Sequence, residues 1–245
     1  MHPTGDPRAN RDYYDAFSAQ YEDHRGERDP GGYHDLLDEL EADFVERFGA
    51  NRDVLEVGCG TGLVLQRIAS FARRARGLDL SPGMLEKARA RGLDVVEGSA
   101  TALPFESESF DVTCSFKVLA HIPEIELALS EMARVTRPGG MVIAEFYNPH
   151  SLRGLLKRWG PAGIVAPQTN ERDVYVRFDS PAAARRLVPD GCRVVATRGI
   201  RTVIPSAALM RSRPLRRLLR AAEWALCDSR FSAFSGFWLA AMEKG

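Results

Sequence analysis

Between Asn51 and Asn148 short apolar runs alternate with helix-like stretches, and that order admits few architectures. The runs are 54–57, 75–80, 93–96, 110–116 and 141–146, with helical patterns at 63–71, 82–90 and 124–135 between them. A strand, a helix and a further strand close as a right-handed crossover, so repeated units give a parallel sheet covered on both faces. The chain is therefore expected to be α/β, with a doubly wound, mainly parallel, Rossmann-like sheet.

Ahead of this core, residues 34–48 place Leu36, Leu37, Leu40, Phe44 and Phe48 three and four apart, the spacing of an amphipathic helix. Tyr13, Tyr14, Phe17 and Tyr21 predict a shorter aromatic helix, broken by Pro30-Gly31-Gly32. Beyond Pro149 the pattern loosens into helices at 151–159 and 181–187, a loop at 161–169, and closing strands at 194–198 and 234–242 around a basic helix that starts at Ser212 or Pro214. A chain of 245 residues in this order reads as one domain over 1–245, with a lid at 1–33, a ligand-binding core at 34–149, and substrate-side helices and closing strands at 150–245.

A composition of 44% hydrophobic and 27% charged residues is that of a folded globular protein. No apolar run approaches the roughly 18 residues of a membrane span, and the first residues lack an apolar signal core, so a cytoplasmic protein is expected. Cys59, Cys114, Cys192 and Cys227 have neither zinc-site nor paired spacing and read as buried thiols; no metal is expected. The net charge of zero conceals a split: residues 1–149 hold 16 Lys+Arg against 26 Asp+Glu, and residues 150–245 hold 17 against 7. Such a division can mark a partner or substrate face.

The sharpest motif is Val54-Leu55-Glu56-Val57-Gly58-Cys59-Gly60-Thr61-Gly62, a strand entering a glycine turn before a helix at Leu63. Glycines let a ligand approach the main chain closely at the mouth of the sheet. A dinucleotide fingerprint would require Gly or Ala at position 63, where Leu63 stands. Asp79 ends the next run, where a carboxylate can accept both hydroxyls of a ribose; a nicotinamide cofactor and S-adenosylmethionine would use it alike. Gly98-Ser99-Ala100-Thr101-Ala102-Leu103-Pro104-Phe105 supplies a loop suited to an adenine edge.

In this order and spacing, VLEVGCGTG, GLDLSPGML, VVEGSATALPF, SFDVTCSFKVLAHI, Glu131-Met132-Ala133-Arg134-Val135 and Arg137-Pro138-Gly139-Gly140 resemble the S-adenosylmethionine-dependent methyltransferases of the ubiquinone and menaquinone biosynthesis type, over about 95 residues. The resemblance implies the seven-stranded class I methyltransferase sheet, with an N-terminal helical lid and a C-terminal helical insertion, and S-adenosylmethionine as cofactor. It implies that the turn of Gly58, Cys59, Gly60 and Gly62 holds the cofactor's amino-acid end, with Glu56 orienting the loop and the ammonium. Asp79 would bind the ribose, Leu80, Met84, Ala100 and Thr101 would line the adenine, and Phe116 would offer its carbonyl to the ammonium. Tyr21 would reach the cofactor from the lid. The family usually has Asp where Ser99 stands, and a serine accepts without charge. Lys117 is unusual in a stretch that is often acidic or polar.

The reaction this implies needs alignment of an acceptor with the methyl carbon and, for oxygen or nitrogen acceptors, a base near neutral pH. His121, Tyr147 and His150 are the candidates, each also readable as a structural or loop residue. The acceptor is expected to be a small, hydrophobic or aromatic molecule. RNA or protein as acceptor, and a non-catalytic cofactor-binding module, remain open. The basic helix at 212–226, with Arg213, Arg216, Arg217 and Arg220 among leucines, suits a solvated face, an acidic substrate or peripheral contact with anionic lipid.

Overall fold

The structure is a computed structural model that describes Asp15, Ser18, Tyr21 and residues 31–151, 175–204 and 206–245. The expected aromatic helix around Tyr13, Tyr14 and Phe17, the helix at 151–159 and the loop at 161–169 lie outside these residues. The chain runs α1 (Tyr33–Gly49), β1 (Asp53–Val57), α2 (Leu63–Ile68), β2 (Arg74–Asp79), α3 (Pro82–Ala90), β3 (Asp94–Glu97), β4 (Phe110–Ser115), α4 (Ile125–Val135), β5 (Thr136–Tyr147), α5 (Pro181–Ala184), β6 (Cys192–Ile200), α6 (Arg213–Leu226) and β7 (Phe237–Lys244).

The strands form one seven-stranded sheet in the order β3-β2-β1-β4-β5-β7-β6. β1 to β5 pair in parallel, and β7 runs antiparallel to both β5 and β6. Alternate strand residues feed two apolar layers. Val54, Val112, Cys114, Ile143, Leu239 and Ala241 pack against Leu36, Leu40 and Phe44 of α1; Leu55, Val57, Val142, Ala144, Trp238 and Ala240 pack against Leu129 and Met132 of α4. Each Val, Leu, Ile, Phe or Met among them contributes about 1.5–3 kcal/mol when withdrawn from water, which is why a period of two along the strands meets a period of three to four along the helices.

Local chemistry sets the helix starts. Ser81 caps α3 by accepting from the Met84 N–H at 3.2 Å, with Pro82 in the first turn. Asp15 adds to this cap, its Oδ1 accepting from the Gly83 N–H at 2.7 Å and lying 3.1 Å from Ser81 Oγ. Ser180 caps α5 in the same manner, and α6 begins after Ser212 as the sequence suggests.

The structure corrects several boundaries. β5 starts at Thr136, not at 141, because Arg137-Pro138-Gly139-Gly140 is a bulge within the strand: Phe110 pairs with Thr136 and Val112 with Met141, and Gly139 takes φ +71°. α2 stops at Ile68, and the Asn51 N–H then bonds the Phe71 carbonyl at 2.9 Å as the chain turns toward β2. The pattern at 181–187 divides into α5 and a 3-10 turn at Arg185–Leu187. Phe234 closes a 3-10 turn, Arg230–Phe234, so β7 begins only at Phe237. No helix among the described residues is long and apolar enough to cross a membrane.

Candidate active site

The strand order reverses between β1 and β4, and in doubly wound sheets ligands bind outside the carboxyl ends of the strands at such a reversal. A cleft opens there, lined from β1 by Glu56, Gly58, Cys59, Gly60 and Thr61, from β2 by Leu78, Asp79 and Leu80, and from α3 by Met84. Ser99, Ala100 and Thr101 form one wall, and Phe116, Lys117, Val118 and His121 form another, with Tyr21 across the mouth.

The glycines of the turn have separate tasks. A Cβ on Gly58 would lie 2.3 Å from a Val118 methyl, and Gly58 sits at φ +80°, so this position is fixed by packing and backbone together. Gly60, at φ +53°, has nothing within 4 Å of where its Cβ would stand, and faces the opening where a ligand can meet bare backbone. Gly62 does not line the cleft; it sits behind it as the residue preceding α2.

Asp79 accepts from the Gly60 N–H at 2.8 Å through one oxygen and from the Ser81 N–H at 2.9 Å through the other. Burial raises its pKa, and these backbone donors pull it back. Each oxygen keeps an acceptor site for a hydroxyl. Ser99 accepts from the Thr101 N–H at 3.2 Å, and its hydroxyl lies 2.8 Å from that of Thr101, so it closes its own loop as well as lining the wall.

The floor of the cleft is charged. Glu56 is 3% exposed, and Oε2 has no hydrogen-bond partner among the described residues. Burial, then the nearby Glu41 and Asp38, hold its pKa well above the usual carboxylate range. Lys117, one residue beyond Phe116 and in the left-handed region at φ +61°, reaches back to α1, where Nζ lies 3.0 Å from Asp38 Oδ1 and 2.6 Å from Glu41 Oε1. Its backbone N–H donates to Glu145 Oε1 of β5 at 3.1 Å. Periodicity reads Asp38 and Glu41 as solvated positions of an amphipathic helix; they are buried. The signal available in the sequence was Lys117 itself, a cation in an apolar stretch that calls for buried acids.

On the far side, the 3-10 turn Leu119–His121 carries His121 to the cleft wall. Its Nδ1 is 3.0 Å from the Tyr175 carbonyl oxygen. A carbonyl only accepts, so Nδ1 carries the proton and, in the neutral ring, Nε2 holds the lone pair. Burial lowers the His121 pKa, partly offset by that carbonyl. Tyr147 lies behind it, edge-on at 5.8 Å, and stacks on to Phe178 at 6.2 Å and Phe237 at 5.0 Å. The segment carrying Phe178 is stitched across the sheet end: the Arg177 N–H bonds the Ala120 carbonyl and the Asp179 N–H the Tyr147 carbonyl, both at 2.8 Å. His150 is exposed, its N–H donating to Asn148 Oδ1 at 3.1 Å, and it is not part of the cleft. Ile122, Pro123 and Glu124, also on the wall, had no motif to reveal them.

These groups fit S-adenosylmethionine. The unpartnered Glu56 oxygen and bare Gly60 suit an ammonium-bearing amino-acid end, Asp79 suits a ribose, and Leu80, Met84, Ala100 and Thr101 give an adenine its largely apolar bed. Residues 55–144 match the methyltransferase domain family. The demethylmenaquinone methyltransferase of Mycolicibacterium gilvum is 35% identical over 163 residues, 60% of this chain and 71% of that one. That of Renibacterium salmoninarum is 47% identical over 111 residues, covering 43% and 46%; the chain thus spans about half the length of the first of the curated relatives it matches. A solved S-adenosylmethionine-dependent methyltransferase of Thermotoga maritima shares the fold with a TM-score of 0.66 at 19% identity, over 97% and 99% of the two chains. The sheet order, the cleft at its reversal and these likenesses agree: the chain belongs to the class I S-adenosylmethionine-dependent methyltransferases of the ubiquinone and menaquinone biosynthesis type.

Proposed function

We propose that the protein transfers a methyl group from S-adenosylmethionine to a small, hydrophobic or aromatic acceptor, with His121 as the base. The observation that carries this reading is His121 itself, a cleft-lining ring whose Nδ1 proton is committed to a carbonyl, which sets the neutral tautomer that has its lone pair on Nε2. When bound, the cofactor supplies an electrophilic methyl carbon on a cationic sulfur. His121 Nε2 would take the proton of an oxygen or nitrogen nucleophile held beside the cofactor. The depressed pKa keeps the ring neutral near pH 7, as a base must be. Tyr147 holds the ring edge-on, and the half-exposed Phe178 beyond it offers an apolar surface that favours an aromatic or hydrophobic acceptor over RNA.

Methyl-labelled S-adenosylmethionine incubated with fractionated cell extract tests the acceptor class: label in a small organic product is expected, and label in RNA or protein overturns it. Cofactor binding without transfer to any fraction would make the protein a non-catalytic module. His121→Gln should lower kcat about 10²-fold and remove the rise of rate with pH, with cofactor Kd unchanged. A parallel loss of cofactor binding would make His121 structural instead.

A further inference from the structure

We infer that the insertion between β6 and β7, residues 201–236, carries a surface that docks on anionic lipid. This docking uses no residue of the cleft and so does not depend on which ligand the cleft takes. The insertion leaves β6 after Ile200 and rejoins the sheet at Phe237, and those two residues pair with one another. Phe237 also pairs with Tyr147 at the end of β5, so the insertion is rooted at the same end of the sheet as the cleft.

Residues 201–236 contain seven arginines and two acids, and both acids are taken up within the molecule. Glu223 is fully buried and accepts from the Thr202 and Val203 N–H groups; Asp228 pairs with Arg198 and Arg47. Three of the arginines also turn inward: Arg220 pairs with Glu39, Arg216 donates to the Met210 carbonyl, and Arg201 lies over the Phe237 ring. Arg211, Arg213, Arg217 and Arg230 are exposed and meet no acid among the described residues. A solvated helix face ordinarily mixes both signs, so that pairs form along it. The exposed face here carries one sign, and its potential attracts an anionic surface.

The same insertion keeps apolar side chains in water. On α6, Pro214, Leu218, Ala221 and Ala225 recur three or four apart along the exposed face beside Arg217, and Leu218 is 66% exposed. After α6, Ser229 caps the 3-10 turn Arg230–Phe234. Side chains three apart in such a turn are eclipsed, so Phe231 and Phe234 point out together, 53% and 59% exposed. The turn is anchored from behind: Ser232 and Ser235 are buried, and the Asn148 amide donates to the Ala233 and Ser235 carbonyls at 2.8 and 3.0 Å. Two phenyl rings are thus held outward on a fixed base next to Arg230. Arginines at the level of phosphate headgroups, with leucine and phenyl side chains reaching the acyl boundary beneath, match a bilayer surface. The phosphates of a nucleic acid would satisfy the arginines but leave Leu218 without a partner, which is what favours lipid.

The test is sedimentation of the intact protein with vesicles of phosphatidylglycerol and phosphatidylcholine, against vesicles of phosphatidylcholine alone. Binding to the anionic vesicles is expected, with most of it lost at about 0.5 M salt. Arg213→Gln combined with Arg217→Gln should weaken it at least about tenfold. Phe231→Ser combined with Phe234→Ser should remove the part that resists salt. Both double variants should keep native circular dichroism and an unchanged Kd for S-adenosylmethionine. No binding to the anionic vesicles, equal binding to the neutral ones, or undiminished binding by both variants overturns the lipid surface. Release of vesicle-bound protein by an RNA at equal phosphate concentration overturns it in favour of a nucleic acid.

Discussion

Asp38, Glu41, Glu56 and Glu145 of the first 149 residues converge on one lysine at the mouth of the sheet, whereas the arginines of the second part disperse. Arg198 of β6 goes to the interior: it is fully buried, donates two bonds of 2.9 Å to Asp228, a third of 2.7 Å to Asp43 and a fourth of 2.8 Å to the Leu40 carbonyl, and lies over the Phe44 ring at 5.1 Å. Arg220 of α6 pairs with Glu39 of α1. Arg213 and Arg217 stay exposed. The charge division along the chain is thus partly cancelled within the molecule, by basic residues of the second part clasping the outer face of α1 while the inner face of the same helix supplies acids to the cleft. One region concentrates unlike costs at a binding site; the other uses charge as an internal fastening.

If that contrast is right, Arg198→Met should cost about 2–3 kcal/mol in urea denaturation, at the low end for a broken buried pair because Asp43 and Asp228 are 39% and 37% exposed, while the folded fraction binds the cofactor with unchanged Kd. Asp79→Ala should do the reverse: at least tenfold weaker cofactor binding by calorimetry, about 1.4 kcal/mol, with the urea midpoint undiminished. The acids of the cleft should also mark the pH dependence of the ligand-free protein. Because burial raises Glu56 and Glu145 in the folded state above their unfolded range, the stability they contribute is fullest below the ordinary carboxylate range and falls as pH rises through it. Glu56→Gln should flatten that fall, read from denaturation at each pH. The smallest effect belongs to the surface of α6. Leu218, 66% exposed beside Arg217, should accept Glu with a change within about 0.5 kcal/mol; if this helix meets anionic lipid, sedimentation with phosphatidylglycerol vesicles should fall in the same variant.

The core was legible because its signals are local. A buried run ending in Gly58-Cys59-Gly60-Thr61-Gly62 and an acid at Asp79 declare the switch point without any knowledge of partners. Tyr21, Glu56, Ser99 and Phe116 all line the cleft. Arg137-Pro138-Gly139-Gly140 misled because a strand bulge and a turn ask for the same residues. Asp38 and Glu41 were hidden for a different reason: a polar residue on an amphipathic helix looks solvated until a distant lysine arrives to claim it. The segment of Tyr175 and Phe178 behind His121 had no periodicity to betray it, since an irregular segment held by backbone bonds to Ala120 and Tyr147 obeys neither repeat.

The position of β7 between β5 and β6 bears on how the chain is made. Tyr147 must wait for Phe237, and all of β6 for the strand that follows it, so during ribosomal synthesis the growing protein carries one open sheet edge and one unpaired strand until Phe237–Lys244 emerges. Strands β1 to β4, at whose ends the cleft lies, are complete well before that moment. A nascent chain with its ligand cleft already formed but its sheet unsealed is the species on which a chaperone, or early cofactor capture, would act.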